Sequence, residues 1–451
     1  MKYVETIILG LWILLSSCHS DSEVREQGNQ GTSDLDLEKV EIVDIETGIK
    51  AYIQEKVEQG EGYFHLKEKE HDLQLKLVRV HTEYLSNLGP NRHFACVDLA
   101  DVSGDVYDVD FFLEGSPGNM EVNETTLHKL NGKPFYSWKQ RKDKTWYRVP
   151  IEEASTELLG IIEDKDEFEF RYHVELPEIT DKADIWIPIA QSDSFQIVEL
   201  ITLKAPGKQK MLVDNEYGNS ILHLELGPEN SEQDVEIIYN VQRMEKGPND
   251  AKESEVFKYL ESDRLVPVND RFRNIAREAI KEKYKDGKLV QARALYDYII
   301  DNMRYMKFGN YGRGDAIYAC DSKTGNCTEF HSFFISLARS AGIPARFSIG
   351  ASIPSDRNEG GIDGYHCWAE FYAEGKWWPV DISEANKYTA LATYYFGRHP
   401  ANRIELSRGR DLEVDSGPQS GPINFLAYPI LEIGGKLTTA HTTFSFTRKS
   451  I

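Results

Sequence analysis

The chain has 451 residues, 40% of them hydrophobic and 11% aromatic, with 33 glycines and 17 prolines. That supplies packed cores for about two to four domains and excludes a disordered, collagen-like or low-complexity protein. Fifty-two Lys and Arg stand against 74 Asp and Glu, a formal charge of −22; a surface that negative, with no local basic patch, excludes general nucleic-acid binding.

The N-terminus opens with Lys2, continues through the apolar run Ile7 to Leu15 and closes on Ser16-Ser17-Cys18. A charged start, a run of about nine apolar residues and small residues before a cut site predict a signal peptide over residues 1–17. The run is too short for a bilayer, which needs about 20 residues. Leu15-Ser16-Ser17-Cys18 resembles the bacterial lipobox, which implies lipid attachment at Cys18, a membrane anchor and a location in the bacterial cell envelope. Residues 18–47 are polar and mostly acidic, and are expected to form a flexible tether.

Residues 48–150 read as a β-rich N-terminal module of unassigned role. Leu73-Gln74-Leu75-Lys76-Leu77 alternates, and the one-residue slip at Val78-Arg79-Val80 predicts a bulge. Phe94 to Leu99 and Val106 to Phe111 flank Ser103-Gly104 as a hairpin. Lys56 to Glu70 is expected to add a helical turn or two. His81, His93, Asp98, Asp108, Asp110 and His128 are metal-ligand types, but their spacing matches no metal motif. They are expected on the solvent face, and no metal site is assigned. Residues 151–248, with short strands between Pro, Gly and Asp breaks, read as a β-sandwich. Gly247-Pro248-Asn249-Asp250 marks a boundary. Beyond it Arg271 to Lys285 and Leu289 to Met303 carry helical periodicity.

Gly325-Asn326-Cys327 precedes Phe330, Phe333, Phe334, Leu337, Ala338 and Ala341, spaced as one buried helical stripe stopped by Gly342 and Pro344. Cys327 therefore falls in the first turn of a buried helix, where the dipole lowers a thiol pKa and favours the nucleophilic thiolate. Such a thiolate needs a base, and the base needs an orienting group. His366 begins a strand, Ala373-Glu374-Gly375-Lys376 is the turn, and Trp377 to Ile382 is the returning strand. Symmetry about Glu374-Gly375 makes paired residue numbers sum to 749, which leaves His366 and Asp381 as diagonal neighbours on one face about 7–8 Å apart. His331, one helical turn beyond Cys327, could rival His366 as base but points behind the sulfur, so it is read as supporting the site from behind or as packing. Cys320, Cys327, Cys367 and His366 lack Cys-x-x-Cys spacing, so zinc is not assigned to them. Cys367 is expected to face away from His366. Ile353 to Tyr365 reads as a loop beside the cleft, either a lid or plain surface.

Gly325-Asn326-Cys327, Ala341-Gly342-Ile343-Pro344-Ala345-Arg346, His366-Cys367-Trp368 and Trp378-Pro379-Val380-Asp381 together resemble the core of the transglutaminase-like superfamily, relatives of the papain-like cysteine enzymes. The resemblance covers about residues 270 to 390, with Gly409-Arg410-Asp411 and the Tyr428-Pro429 region like its continuation. It implies an α+β architecture in which a papain-like catalytic domain over 249–451 follows the β-sandwich and the N-terminal module. It also implies a catalytic Cys327-His366-Asp381 triad, a thioester intermediate, a protein or peptide substrate and no cofactor. The animal cross-linking enzymes use an upstream Trp as a second oxyanion donor. None lies between Trp186 and Trp368, and Tyr305, Tyr311 and Tyr318 are the candidates to replace it. Peptidase or amidase action therefore ranks above protein cross-linking. The alternative from another class is an inert binding or scaffold module.

Overall fold

The computed structural model describes residues 40–449 apart from 69–70, 90, 103, 135, 141–145, 151–160, 251–255, 308 and 388–390. The predicted signal peptide over residues 1–17 and the predicted lipid-attachment residue Cys18 lie outside the described residues.

The described chain opens on helix α1 (Ile42–Gln59), which corrects one expectation and extends another. The tether predicted to reach residue 47 gives way to helix at 42, and the helical turn expected from Lys56 is the end of that helix, followed by a turn and the strand Phe64–Glu68. Ile45, Ile49 and Ile53 recur every four residues as a narrow buried stripe. The charges around it made the stretch read as solvated. Glu41 and Asp44 close its first turn as a reciprocal cap, with Glu41 N–H donating to Asp44 Oδ2 at 2.8 Å.

Strands β1 (Phe64–Glu68), β2 (His71–Val80), β3 (Ser86–Gly89), β4 (Arg92–Asp101), β5 (Val106–Ser116), β6 (Asn119–Leu130) and β7 (Lys133–Pro134) form a seven-stranded sheet ordered β1-β2-β4-β5-β6-β7, with β3 on β4. The predicted irregularity is present between Leu77 and Arg79. β4 and β5 pair as the predicted hairpin, with Leu99 opposite Tyr107. Ala95, Val97 and Leu99 pack with Val109, Phe111, Leu113 and the α1 isoleucines. By the two-residue period of a strand, Cys96, Asp98, Asp108 and Asp110 take the other face. That face is not solvent. All four, with His81 and His93, are buried, so the solvent-face reading of His81, His93, Asp98, Asp108 and Asp110 is overturned, while Cys96 is a core thiol. β8 (Tyr136–Gln140) and β9 (Trp146–Pro150) pair as a separate hairpin.

β10 (Lys165–Glu175), β11 (Ala183–Ile189), β12 (Gln196–Lys204), β13 (Lys208–Val213), β14 (Ser220–Leu226) and β15 (Asp234–Met244) follow, then β16 (Asn249–Asp250). The rest of the chain alternates helix and strand. It runs through α2 (Asp270–Ala279), α3 (Lys288–Asn302), β17 (Arg304–Tyr305), α4 (Ala316–Ser322), β18 (Thr324–Gly325), α5 (Cys327–Ser340) and β19 (Ala345–Ser352). β20 (Glu359–Ile362), β21 (His366–Ala373), β22 (Lys376–Val380), α6 (Ile382–Lys387), β23 (Arg403–Arg408), β24 (Ile430–Ile433), β25 (Lys436–Thr438) and β26 (His441–Arg448) complete it.

Two five-stranded sheets, β12-β15-β10-β26-β20 and β13-β14-β11-β24-β25, share one apolar cluster that includes Phe168, Phe170, Ile185, Leu224 and Phe444. Each takes strands from both sides of residue 248. A third five-stranded sheet, β16-β22-β21-β19-β23, packs against α5, whose residues Cys327 to Arg339 are all buried. No helix among the described residues is long and apolar enough to cross a membrane.

The N-terminal sheet is tied to α3 through buried charge. Asp98 accepts from Arg293 Nη1 at 2.7 Å, while Arg293 Nε also donates to Asp297 at 3.0 Å, and both Arg293 and Asp98 are buried. Breaking a buried pair strands the remaining charge. Arg293→Met is therefore expected to cost about 3–5 kcal/mol of stability, read by chemical denaturation. A loss below about 1 kcal/mol, the range of an exposed pair, would contradict this account of the junction.

Candidate active site

α5 starts where the sequence places it, and the local chemistry explains why. Asn326 is its N-cap, and its side-chain oxygen accepts from Thr328 N–H at 2.9 Å. Glu329 returns the bond, accepting from Asn326 N–H at 3.1 Å. The same buried carboxylate accepts from Gly312 N–H at 3.0 Å and Gly314 N–H at 2.8 Å, fixing the preceding loop over the helix start. Gly325 is required there because a Cβ on it would lie 2.3 Å from Glu329 Cβ. Arg410 secures the loop from the other side, donating to Gly314 O at 2.9 Å and to Ser332 Oγ. The capping role of Asn326 and Glu329 went unread, although Asn-x-x-Glu is its sequence signature.

The hairpin carrying His366 has the predicted register. Ala369 pairs with Val380, Glu370 with Pro379 and Ala373 with Lys376. Asp381 follows directly, its N–H bonded to Tyr395 O at 3.1 Å. His366 Nε2 lies 2.7 Å from Asp381 Oδ2, which leaves Nδ1 for the sulfur of Cys327. The three residues named from sequence are thus brought together. Cys327 and His366 line an open cleft of about 1090 Å³, while Asp381 lies beneath it, wholly buried.

Electrostatics favour a charged thiolate–imidazolium pair. Burial opposes ionisation of Cys327, but hydrogen bonds with Cys367 and His366 and the adjacent imidazole charge hold its thiol well below the ordinary range. Burial likewise opposes the charge on His366, and Asp381 overcomes it, raising the imidazole from 6.5 to about 9. Burial would raise the Asp381 carboxyl; His366 and Arg403 instead keep it far below its usual value.

Five further residues complete the arrangement. Arg403 Nη2 donates to Asp381 Oδ2 at 2.7 Å, Ser383 Oγ to Oδ1 at 2.9 Å, and Glu384 N–H to Oδ1 at 3.1 Å. His331 is neutral, its pKa lowered by burial. Its Nε2 accepts from Ile382 N–H at 3.1 Å, so Nδ1 carries the proton and donates to Cys327 O at 2.7 Å. Both nitrogens are committed to backbone, tying the helix start to the residue after Asp381. Cys367 lies toward α5, its sulfur 3.6 Å from His331 Nδ1 and hydrogen-bonded to Cys327. Its position beside the nucleophilic sulfur was missed, because strand alternation alone does not show what the opposite face meets. Cys96, Cys320, Cys327 and Cys367 are all free thiols.

Tyr305 and Tyr311 line the cleft, whereas Tyr318 is not among its lining residues. Residues 353–357 and 362–365 wall the cleft, and the stretch is anchored through β20, where Gly360 pairs with Phe446 of β26.

Arg403 carries a testable consequence. Its charge pushes the His366 pKa down, opposing Asp381. In Arg403→Gln the imidazole titration, followed by histidine NMR, is expected to move to higher pH. A downward movement, or none, would contradict the assigned geometry.

Residues 273–382 match the family model of the Transglutaminase-like superfamily. An uncharacterised protein of Haemophilus influenzae is 26% identical over 318 residues, spanning 60% of this chain and 86% of its own length. Among solved structures, a provisionally named cysteine protease from Cytophaga hutchinsonii aligns with a TM-score of 0.41 at 14% identity, over 63% of this chain and 99% of that one. The periplasmic domain of TgpA from Pseudomonas aeruginosa aligns with a TM-score of 0.29 at 15% identity, over 53% and 94% of the two chains.

Proposed function

We propose that this protein is a thiol-dependent enzyme acting on amide bonds of proteins or peptides, through Cys327, His366 and Asp381, from a papain-like core carried on a β-sandwich. The observation that carries the reading is the His366 Nε2 to Asp381 Oδ2 bond of 2.7 Å beside the Cys327 sulfur at the start of α5, whose hydrogen bonds with Cys367 and His366 push its pKa down against burial. The Cys327 thiolate attacks a carboxamide carbon, and the carbon–nitrogen bond breaks as His366 gives its proton to the departing amine. Water, deprotonated by His366, then cleaves the thioester to the free acid. The Cys327 backbone N–H, one of the unbonded donors of a helix start, faces the developing oxyanion. Asp381 holds the imidazole ring in place. We place this action in the cell envelope, on the strength of the apolar run before Cys18 and the lipid attachment that Cys18 implies.

The open cleft and the missing upstream Trp favour hydrolysis over amine transfer. Given a glutamine-containing peptide and a labelled primary amine, the protein should yield more free acid or cleaved peptide than amine-bearing product, and Cys327→Ala should yield neither. Predominant amine incorporation would reverse the ranking in favour of cross-linking. No turnover across a peptide library, together with slow alkylation of Cys327, would instead establish a binding or scaffold module.

A further inference from the structure

The N-terminal sheet buries a second set of reactive side chains, outside the lining of the Cys327 cleft. Asp98 on β4 stands directly opposite Asp108 on β5, and Cys96 opposite Asp110. Like charges directly across a strand pair are destabilising, and here all three carboxylates are fully buried. Arg293 meets Asp98 at 2.7 Å and Lys129 Nζ meets Asp108 Oδ2 at 2.5 Å. Neither oxygen of Asp108 accepts a hydrogen bond of ordinary geometry, and its Oδ1 points at His81 Nε2 across 3.6 Å. His81, Cys96 and Asp108 each present a ligand atom within 4.8 Å of the other two, and all three residues are buried.

One nitrogen, one sulfur and one oxygen donor are the ligand chemistry of zinc and its transition-metal neighbours, not of calcium or magnesium, which take oxygen alone. We propose that His81, Cys96 and Asp108 bind one divalent zinc-class ion, as neutral imidazole, thiolate and carboxylate. Binding releases the thiol proton to solvent and puts a dication among three carboxylates that have two neighbouring cations. Asp98 borders the site: its Oδ1 lies 3.0 Å from the same nitrogen, His81 Nε2, that faces Asp108, and its other oxygen is held by Arg293 on α3. The ion would therefore stiffen the junction between the N-terminal sheet and α3. The trio Cys96, Asp110 and His128 shares the same thiol, but His128 is only half-buried, so the first set is the one assigned.

Cobalt(II) titrated into the full chain tests this directly. One equivalent should bind with a thiolate-to-cobalt charge-transfer band. The band should persist in Cys327→Ser and His128→Ala, and vanish in Cys96→Ser and His81→Ala. If Cys96→Ser fails to fold, Asp108→Asn, nearly identical in shape, takes its place and should also lose the band. Zinc should raise the thermal midpoint of the wild-type chain, as any ligand of the native state does, and the chelated protein should melt lower. The proposal is overturned if the wild type shows no such band, if its melting is indifferent to zinc, if the band follows Cys327 rather than Cys96, or if it follows His128 rather than His81.

Discussion

In His366→Ala, alkylation of Cys327 by iodoacetamide near neutral or mildly acidic pH is expected to fall by about 100-fold or more. In the wild type the thiol pKa lies well below its ordinary value, despite burial, because Cys367 and His366 hydrogen-bond to it and His366 carries positive charge beside it. With the imidazole removed, a thiol of ordinary pKa near 8.5 is only about 0.3% thiolate at about pH 6. Cys367 and the dipole of α5 remain and soften the loss without replacing a full charge. Intact-mass kinetics on the two proteins measure the ratio. Equal rates would mean that His366 does not govern the sulfur.

Asp381→Asn is expected to damage both activity and stability. Its carboxylate receives His366, Arg403, Ser383 and the N–H of Glu384. An amide in its place cannot accept all of these, and it leaves the wholly buried Arg403 without its counter-charge. Turnover of whichever peptide the wild type cleaves should fall by about 10²–10⁴-fold, the usual worth of a positioned acid–base group. Stability should fall by about 3–5 kcal/mol, the usual cost of breaking a buried ion pair. That deficit has a defined pH dependence. The Asp381 carboxyl is depressed in the folded state, so its contribution is present above about 3.8 and disappears as pH falls through its folded value. His366 is raised, so its contribution is complete below 6.5 and disappears as pH rises through about 9. The stability gap between wild type and Asp381→Asn should accordingly be widest between about pH 4 and 6.5 and narrow on either side. Denaturant melts across this range measure it, and a gap that widens above pH 9 would refute the assignment.

Much of the site was legible because its signals are local. The apolar stripe after Cys327 fixes a buried helix and its first turn. The Glu374-Gly375 turn fixes the hairpin register, and the register sets His366 beside Asp381. The alternation break at Val78 likewise marks a real irregularity. What escaped lies in contacts between distant segments. Nothing near residue 403 shows that its guanidinium will reach Asp381, and nothing in residues 430–448 shows that they will return to pair with β10 and β11. The carboxylates of β4 and β5 alternate with apolar residues as a half-exposed sheet would, and only the tertiary packing against that second face reveals them as buried. Ile45, Ile49 and Ile53 form a stripe too narrow to stand out from the charges that separate them.

The central claim is that Cys327 and His366 form a charged pair in the resting protein. Ultraviolet absorbance of the thiolate, taken as the difference between wild type and Cys327→Ala across a pH titration, tests it most directly. The account predicts that thiolate absorbance is already present at about pH 6, well below the ordinary thiol range, and that His366→Ala shifts its appearance to higher pH. A thiolate that appears only above about pH 8, at the same point with or without His366, would contradict it.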